Sequence, residues 1–346
     1  MERKSDWQAR YESALRQLDS SDLVVRMAHA VASVDMNAPP TLYPVTGATD
    51  LTGMRRVGLA PGSYNPLTLA HVALVEAARV AAGLAGVVWA FAGVTVDKER
   101  VARAALPDRL AQLAAYIRWR RAMGDTDDTL ALLNRGLYVD QARAVRSQLA
   151  PDAELFILVG FDKIVQIFDP HYYDDRDTAL RELFAEAHLL VAPRASQGEA
   201  ALRDLLARPH NAQFAAHVSY LPVAPEYATD SSTAARRRAA SGLSDAQALR
   251  DLLPPEAVAL VQQDHPYAPT TKDDPYTLRQ AWIAALQHVP SNTLKQAPSL
   301  SQLVALAGEK TKRGARIRSW LRSPPTAQTV ASLTDPLALL REIGAL

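Results

Sequence analysis

Four short segments of the chain are almost entirely apolar, and helical patterns separate them. A strand with one solvated face alternates apolar and polar residues, whereas a strand covered on both faces is apolar throughout. Covered strands that alternate with helices favour a parallel sheet between two helical layers. We therefore predict an α/β domain with a doubly wound parallel sheet over residues 55–265. Its predicted strands are Arg56–Ala60, Gly86–Ala92, Leu155–Val159 and His188–Ala192.

Helical patterns lie between and before these strands. Inside the predicted domain they cover Leu67–Ala82, Pro107–Met123, Asp140–Leu149 and Thr178–Ala187. Two amphipathic helices, about residues 6–18 and 21–34, are predicted in an N-terminal extension, residues 1–54. Residues 36–53 are rich in proline, glycine and threonine, which predicts an irregular connector. Residues 265–270 form a plausible linker to a C-terminal region, residues 266–346, with a helical pattern.

Composition excludes several classes of protein. The 346 residues carry 38 basic and 37 acidic side chains, a balance that disfavours a strongly basic nucleic-acid coat for the chain as a whole. Cysteine is absent, so disulfides, thiolate metal sites and cysteine nucleophiles are excluded. The longest uncharged apolar run, Val80–Val96, is shorter than the roughly 20 residues of a membrane helix. With no apolar signal segment at its start, the chain is expected to be soluble, cytoplasmic and free of membrane contact.

The ten residues GSYNPLTLAH, from Gly62 to His71, follow the first predicted strand. Ligands of open parallel sheets bind beyond the carboxyl ends of the strands. Glycine allows the backbone to approach a phosphate closely, and the following helix start offers N–H groups to an anion. Thr68 and His71 are three residues apart, so they share one face of the first helical turn. A hydroxyl and an imidazole on one face suit phosphoryl oxygens. The alternative is a simple loop–helix junction with a hydrogen-bonded histidine.

This decapeptide resembles the GxFNPxHxGH or GxFNPxTxxH signature of the nucleotidylyltransferase superfamily. It is most similar to the nicotinamide or nicotinate mononucleotide adenylyltransferases, in which threonine commonly replaces the first histidine. The resemblance implies a Rossmann-like fold in which Gly62, Ser63 and Tyr64 line the nucleotide cleft. It also implies that Thr68 and His71 contact the phosphates undergoing transfer. Tyr64 replaces the usual phenylalanine, and Ala70 stands where glycine is often found.

A second motif, DSSTAAR, runs from Asp230 to Arg236. Locally it predicts a helix start that serine or threonine caps. Arg236 lies one turn after the cap, so backbone donors, hydroxyls and a guanidinium would together suit a polyphosphate. The motif resembles the second superfamily signature, ISSTxxR, with Asp230 in place of isoleucine. The resemblance implies that the departing pyrophosphate is held by Ser231, Ser232, Thr233 and Arg236.

Other residues match the family at single positions. Gly160 and Asp162 follow a predicted strand and resemble the GADxxxxF element that contacts the adenosine, although Phe161 replaces its small residue. The matching aromatic would be Phe168. The alternative for Gly160 and Asp162 is a strand-to-helix turn that Asp162 caps. For the charged residues named next, the alternative is a solvated loop position. The family also implies a phosphate-contacting lysine, a loop-supporting arginine and an arginine near the pyridine nucleotide, which here would be Lys98, Arg109 and Arg194.

The sequence also offers two candidate stacking residues and lacks several common nucleotide-binding and metal-binding motifs. Trp89 and Tyr138 could stack on a flat ring, but core positions are the simpler expectation for both. The sequence has no GxxxxGK[ST] loop, no GxGxxG motif and no HExxH motif. A P-loop, a dehydrogenase-type NAD site and a zinc site are therefore not expected. Magnesium is expected only as a companion of ATP.

The family resemblance implies adenylyl transfer from ATP to nicotinamide or nicotinate mononucleotide. The mononucleotide phosphate would attack the α-phosphorus in line, with no covalent enzyme intermediate. An alternative is a related transferase that acts on phosphopantetheine or uses CTP. A regulatory protein is a further alternative. The region from Tyr267 onward has a net charge of +5. Its basic segment Glu309–Arg322, with Ser299–Leu306, could form a DNA-binding helix-turn-helix. A solvated helical appendage or a homo-oligomer contact would also explain that segment.

Overall fold

A seven-stranded sheet forms the centre of the protein in this computed structural model. The structure describes residues 4–18, 20–92, 104–124, 126–194, 197–228, 232–241, 246–267, 283 and 307–322. The strand order is β1-β4-β3-β2-β5-β6-β7. Every neighbouring pair is parallel except β1 with β4. The strands are β1 (Leu42–Gly47), β2 (Arg56–Pro61), β3 (Gly86–Ala92), β4 (Thr129–Leu133), β5 (Glu154–Gly160), β6 (His188–Ala192) and β7 (Val218–Tyr220).

Helices cover both faces of this sheet and extend beyond it. Short 3₁₀ turns lie at Pro170–Tyr172 and Ala212–His217. The α-helices are α1 (Lys4–Gln17), α2 (Ser20–Ala32), α3 (Leu69–Ala82), α4 (Leu106–Ala122), α5 (Tyr138–Arg146), α6 (Phe161–Ile167), α7 (Arg176–Glu186), α8 (Glu199–Leu206), α9 (Pro225–Ala228), α10 (Ser232–Ala240), α11 (Ala246–Leu249), α12 (Pro255–Asp264) and α13 (Lys312–Arg322).

The apolar strands are buried on both faces, as predicted. In β3, Trp89 and Phe91 join a core with residues of α2, α3, α4 and α12. The intervening Val88 and Ala90 join the opposite core, with residues of α5, α6 and α7. Since successive side chains of a strand point to opposite faces, a strand between two cores needs apolar residues at every position. The doubly wound α/β fold is therefore confirmed.

The connector predicted over residues 36–53 is wrong in part, because β1 lies within it. This strand pairs antiparallel with β4 at the edge of the sheet. Its ladder is irregular between Pro44 and Thr46. Proline cannot donate to a ladder and is confined to edges and bulges, so an edge position accommodates this sequence. The predicted sheet, wholly parallel, thus gains an antiparallel edge.

The N-terminal helices pack on the α/β domain. On α1, Arg10 forms a bidentate ion pair with Glu256 of α12, at 2.9 Å for the shortest contact. The same guanidinium lies 3.3 Å from the ring centroid of Trp119 on α4. Trp7 is buried beneath the guanidinium of Arg250. These contacts join the start of the chain to α4 and α12, while the predicted division into three regions stays a prediction.

Other parts of the fold were not predicted from the sequence or were predicted in the wrong place. Strands β4 and β7 were not predicted, and the predicted linker at residues 265–270 is wrong for Tyr267, which is buried in the core. The helical pattern of the C-terminal region is confirmed where the structure describes it, at α13. The predicted helix-turn-helix partner segment, Ser299–Leu306, lies outside the described residues.

Replacing Arg10 tests whether the N-terminal helix is part of the folded core. Glu256 is 3% exposed, and removing one partner of a buried ion pair leaves an uncompensated charge. We expect Arg10→Ala to lower the free energy of unfolding by about 3 kcal/mol in chemical denaturation. The matched control is Arg55→Ala, which breaks an exposed pair with Asp152 and should cost less than about 1 kcal/mol. Equal effects of the two variants would contradict the assignment.

Candidate active site

The loop between β2 and α3 carries the first predicted motif. Gly62 extends the sheet ladder by donating its N–H to the carbonyl of Ala90 at 2.9 Å. A Cβ at Gly62 would lie 2.8 Å from the ring of Tyr64, so glycine is required for this close approach. Arg109 of α4 donates to the carbonyl of Ser63 at 3.0 Å. The predicted support of the loop by Arg109 is therefore confirmed.

Tyr64 lies beneath the loop rather than on its open side. Its ring is 3% exposed and packs against His71, Trp89 and Phe91, with centroid distances of 5.0 to 5.7 Å. Its hydroxyl donates to the carbonyl of Ala60. The buried side chain thus fixes the loop and the ring of His71, and it leaves only the Tyr64 backbone to face a nucleotide.

Thr68 and His71 meet at the first turn of α3. Thr68 caps the helix, and its backbone N–H donates to Nδ1 of His71 at 3.0 Å. Its hydroxyl lies 2.8 Å from the same nitrogen. Because Nδ1 accepts, the neutral ring carries its proton on Nε2. The predicted shared face is confirmed, but the hydroxyl of Thr68 is directed at the imidazole, so Thr68 positions His71 instead of serving as a second outward donor.

The imidazole of His71 is neutral at physiological pH. Burial, together with the positive charge of Arg194, lowers its pKa from 6.5 to about 4. A neutral imidazole with its proton on Nε2 is a hydrogen-bond donor without a net charge. It can therefore stabilise negative charge that develops on a bound phosphoryl oxygen.

Helix α10 brings the second motif onto the first. Arg236 donates from Nη1 to the carbonyl of Asn65 at 2.6 Å and from Nη2 to the hydroxyl of Thr233 at 2.9 Å. Ser232 donates from its hydroxyl to the carbonyl of Pro66 at 3.2 Å. The two motifs, about 160 residues apart in sequence, thus form one contiguous surface beside the start of α3.

The third predicted element lies at the neighbouring strand ends. Gly160 ends β5 and pairs with Ala192 of β6, so the residues that follow both strands lie at one edge of the sheet. There Asp162 and Arg194 form an ion pair with a distance of 3.5 Å between Oδ2 and Nε. The positive charge of Arg194 contributes to the lowered pKa of His71. Gly160, Asp162 and Arg194 therefore lie together at the carboxyl ends of β5 and β6.

The remaining predicted residues differ in their placement. Trp89 is fully buried and donates from Nε1 to Asp128 at 3.0 Å, so it is a core residue. Phe168 packs with Phe184 in a buried aromatic cluster, whereas Tyr138 is half-buried at the start of α5. Residues Lys98, Asp230 and Ser231 lie outside the described residues.

Sequence reasoning missed two contacts that hold the first motif. Leu69 donates its backbone N–H to the carbonyl of Leu252 at 2.8 Å. Tyr267 donates its hydroxyl to Oδ1 of Asn65 at 3.0 Å. Asn65 stands inside the recognised motif, but no local pattern marks Leu252 or Tyr267. Both contacts depend on tertiary packing, which a single sequence does not display.

No group of three His, Asp or Glu side chains suited to a metal ion occurs among the residues that the structure describes. In the same residues, no helix is long and apolar enough to cross a membrane.

The state of His71 can be tested by its proton resonances. We expect the imidazole in the folded protein to titrate near pH 4 in NMR spectra, because burial disfavours its charged form. The unfolded state takes up this proton near pH 6.5. The contribution of His71 to stability is therefore complete above pH 6.5 and is lost as the pH falls toward 4. A midpoint near 6.5 in the folded protein would show that the ring is not desolvated.

Comparison with known proteins agrees with this geometry. Residues 59–238, about half of the chain, match the model of the cytidylyltransferase-like family. A probable nicotinate-nucleotide adenylyltransferase of Laribacter hongkongensis is 31% identical over 168 residues, which cover 49% of this chain and 73% of the relative. A protein of the same name from Methylibium petroleiphilum is 29% identical over 216 residues, 62% of this chain and 93% of the relative.

The protein is also similar to a solved structure. A Plasmodium falciparum nicotinic acid mononucleotide adenylyltransferase complexed with APC is 13% identical, with a TM-score of 0.42, and the match covers 62% of this chain and 97% of that chain. The family match includes both motifs, from the end of β2 to Arg236. The chain therefore belongs to the cytidylyltransferase-like family, and it is a nucleotidylyltransferase.

Proposed function

We propose that the protein transfers the adenylyl group of ATP to nicotinate mononucleotide, giving the deamido form of NAD and pyrophosphate. The observation that carries this proposal is the direct packing of α10 on the loop after β2, in which Arg236 and Ser232 donate to the carbonyls of Asn65 and Pro66, just before the helix that carries His71. The names of the curated relatives support the nicotinate form of the acceptor. Nicotinamide mononucleotide is the alternative acceptor.

The reaction needs no enzyme nucleophile. An oxygen of the mononucleotide phosphate forms a bond to the α-phosphorus of ATP, and the bond from that phosphorus to the bridging oxygen of the pyrophosphate breaks. The acceptor phosphate is already anionic, so the protein has to align the two phosphates and stabilise the charge that develops. ATP enters as its magnesium complex, with the metal on phosphate oxygens and largely hydrated.

Each part of the site has a role in this scheme. Nε2 of His71 donates to the α-phosphoryl oxygen, while Thr68 holds the ring in the required tautomer. Ser232, Thr233 and Arg236 hold the departing pyrophosphate, together with Lys98 and Ser231 of the family motifs. Gly62, Ser63, Gly160, Asp162 and Arg194 border the nucleosides.

A substrate screen tests the proposal. Purified protein is incubated with Mg²⁺, ATP or CTP, and nicotinate mononucleotide, nicotinamide mononucleotide or phosphopantetheine, and both pyrophosphate and the dinucleotide are measured. We expect the highest rate with ATP and nicotinate mononucleotide. Preference for CTP or phosphopantetheine would contradict the proposed substrates while retaining the phosphate chemistry. Nucleic-acid binding by the basic C-terminal region and homo-oligomer formation stay predictions.

The role of His71 predicts a selective loss of rate. His71→Ala should lower kcat by about 10²- to 10³-fold with little change in KM, the loss typical of one transition-state donor. Steady-state kinetics check this, with His210→Ala as a control, because that side chain is exposed and distant in sequence from both motifs. An unchanged kcat would remove His71 from the chemistry.

Arg236 should contribute mainly to the binding of ATP. We expect Arg236→Ala to raise the dissociation constants of ATP and pyrophosphate about 10-fold or more, since it removes a charged, multidentate donor. Calorimetric titration measures both constants. Arg237→Ala is the control, because Arg237 is an exposed neighbour on α10. Normal ATP affinity in Arg236→Ala would contradict its assigned role.

A further inference from the structure

Residues 252–267 form hydrogen bonds at two points with the segment that joins β2 to α3. At one end, the carbonyl of Leu252 accepts from the backbone of Leu69, in the first turn of α3. At the other end, the hydroxyl of Tyr267 donates to Asn65. His265 ends α12 in the left-handed conformation, with φ of 48°, and this turn returns the chain toward the loop. A segment that belongs to neither motif thus stabilises the first motif through hydrogen bonds.

Asn65 connects this support to the predicted pyrophosphate site. Its side chain accepts from Tyr267, and its backbone carbonyl accepts from Arg236 at 2.6 Å. Asn65 is 3% exposed, and Tyr267 is buried beside it. Among the described residues, Nδ2 of Asn65 has no hydrogen-bond partner. The orientation of the Asn65 side chain therefore depends on the hydroxyl of Tyr267.

The surroundings of Tyr267 keep its hydroxyl protonated. Burial raises the pKa of this phenol far above its ordinary value of 10, and this effect outweighs the opposite effects of the hydrogen bond to Gln112 and of the positive charges of Arg109 and Arg236. The side chain of Gln112 forms a second hydrogen bond with Tyr267. A protonated hydroxyl held from two sides is a fixed donor, and removing it leaves a buried amide without its partner.

We propose that Tyr267 is a positioning residue for nucleotide transfer. It orients Asn65, and Asn65 supplies the carbonyl that fixes the guanidinium of Arg236 against the phosphates of ATP. This inference rests on the proposed role of Arg236 in phosphate binding. It assigns a function to a residue that the sequence pattern places in a linker, and it makes the end of α12 a part of the binding machinery.

Tyr267→Phe in the full-length protein tests the proposal, because it removes the hydroxyl and retains the ring. Loss of one buried neutral hydrogen bond corresponds to about a 3- to 10-fold effect. We expect KM for ATP and the calorimetric dissociation constant of inorganic pyrophosphate to rise by that factor. KM for the mononucleotide should stay within about twofold, because Arg236 does not contact it in the proposed scheme. Unchanged ATP and pyrophosphate binding would overturn the proposal.

A matched variant separates positioning from simple stability. Tyr116 is also buried, and its hydroxyl accepts from Arg120, four residues further along α4. Tyr116→Phe therefore removes a comparable hydroxyl and should leave KM for ATP unchanged. If Tyr267→Phe only lowers Tm and the active fraction, as a structural residue would, with KM for ATP at its wild-type value, the proposal fails.

A double-mutant cycle tests the route through Asn65. In an Asn65→Ala background, Tyr267 has no side-chain amide to orient, so Tyr267→Phe should change pyrophosphate affinity by less than about twofold. Independent, multiplying effects of the two substitutions would overturn the route. Pyrophosphate binding is measured without turnover, so it tests the role of Tyr267 independently of the reaction. If the wild-type protein transfers no adenylyl group to either pyridine mononucleotide, that result refutes the proposed function but not the role of Tyr267.

Discussion

Two backbone carbonyls of the loop after β2, those of Asn65 and Pro66, accept hydrogen bonds from α10. One of the donors is a guanidinium, and hydrogen bonds to charged groups contribute about 1.5 to 3 kcal/mol. These contacts close a chain segment of more than 160 residues, and their alignment depends on the sheet that lies between. The contiguous surface formed by the two motifs therefore depends on the fold of the domain between them.

The charge distribution across this surface has a physical rationale. His71 is neutral because burial lowers its pKa, while Arg194 and Arg236 carry positive charge among the predicted site residues that the structure describes. A neutral donor adds little to the binding of the ground-state phosphates and gains strength as charge develops on the oxygen that it contacts. In the proposed scheme, the two arginines would supply the charge needed to bind a polyanion. The proposal thus assigns binding and rate enhancement to different side chains.

The sequence predicts the parts of the fold and site that depend on local pattern. Strands β2, β3, β5 and β6 are recognisable because burial on both faces leaves a continuous apolar run, and the two motifs identify Arg236 and His71. Strand β1 is not recognisable from the sequence, because its proline and its glycine suit an edge strand, where the ladder is irregular. The role of Tyr267 could not be predicted, because its contact with Asn65 spans 202 residues. The neighbouring residues do not distinguish a tyrosine in a linker from a buried tyrosine.

The two groups of predicted site residues differ in how firmly they are held. On one side, the loop after β2 is fixed by Arg236, by the carbonyl of Leu252 and by the buried residues beneath it. On the other side, Asp162 and Arg194 form an ion pair whose side chains are 64% and 38% exposed. Such pairs contribute only about 0 to 1 kcal/mol, so in the proposed scheme a nucleotide would replace Asp162 as the partner of Arg194 at little cost. The residues proposed to bind phosphate are thus preorganised, whereas those proposed to border the nucleosides would adjust to the bound substrate.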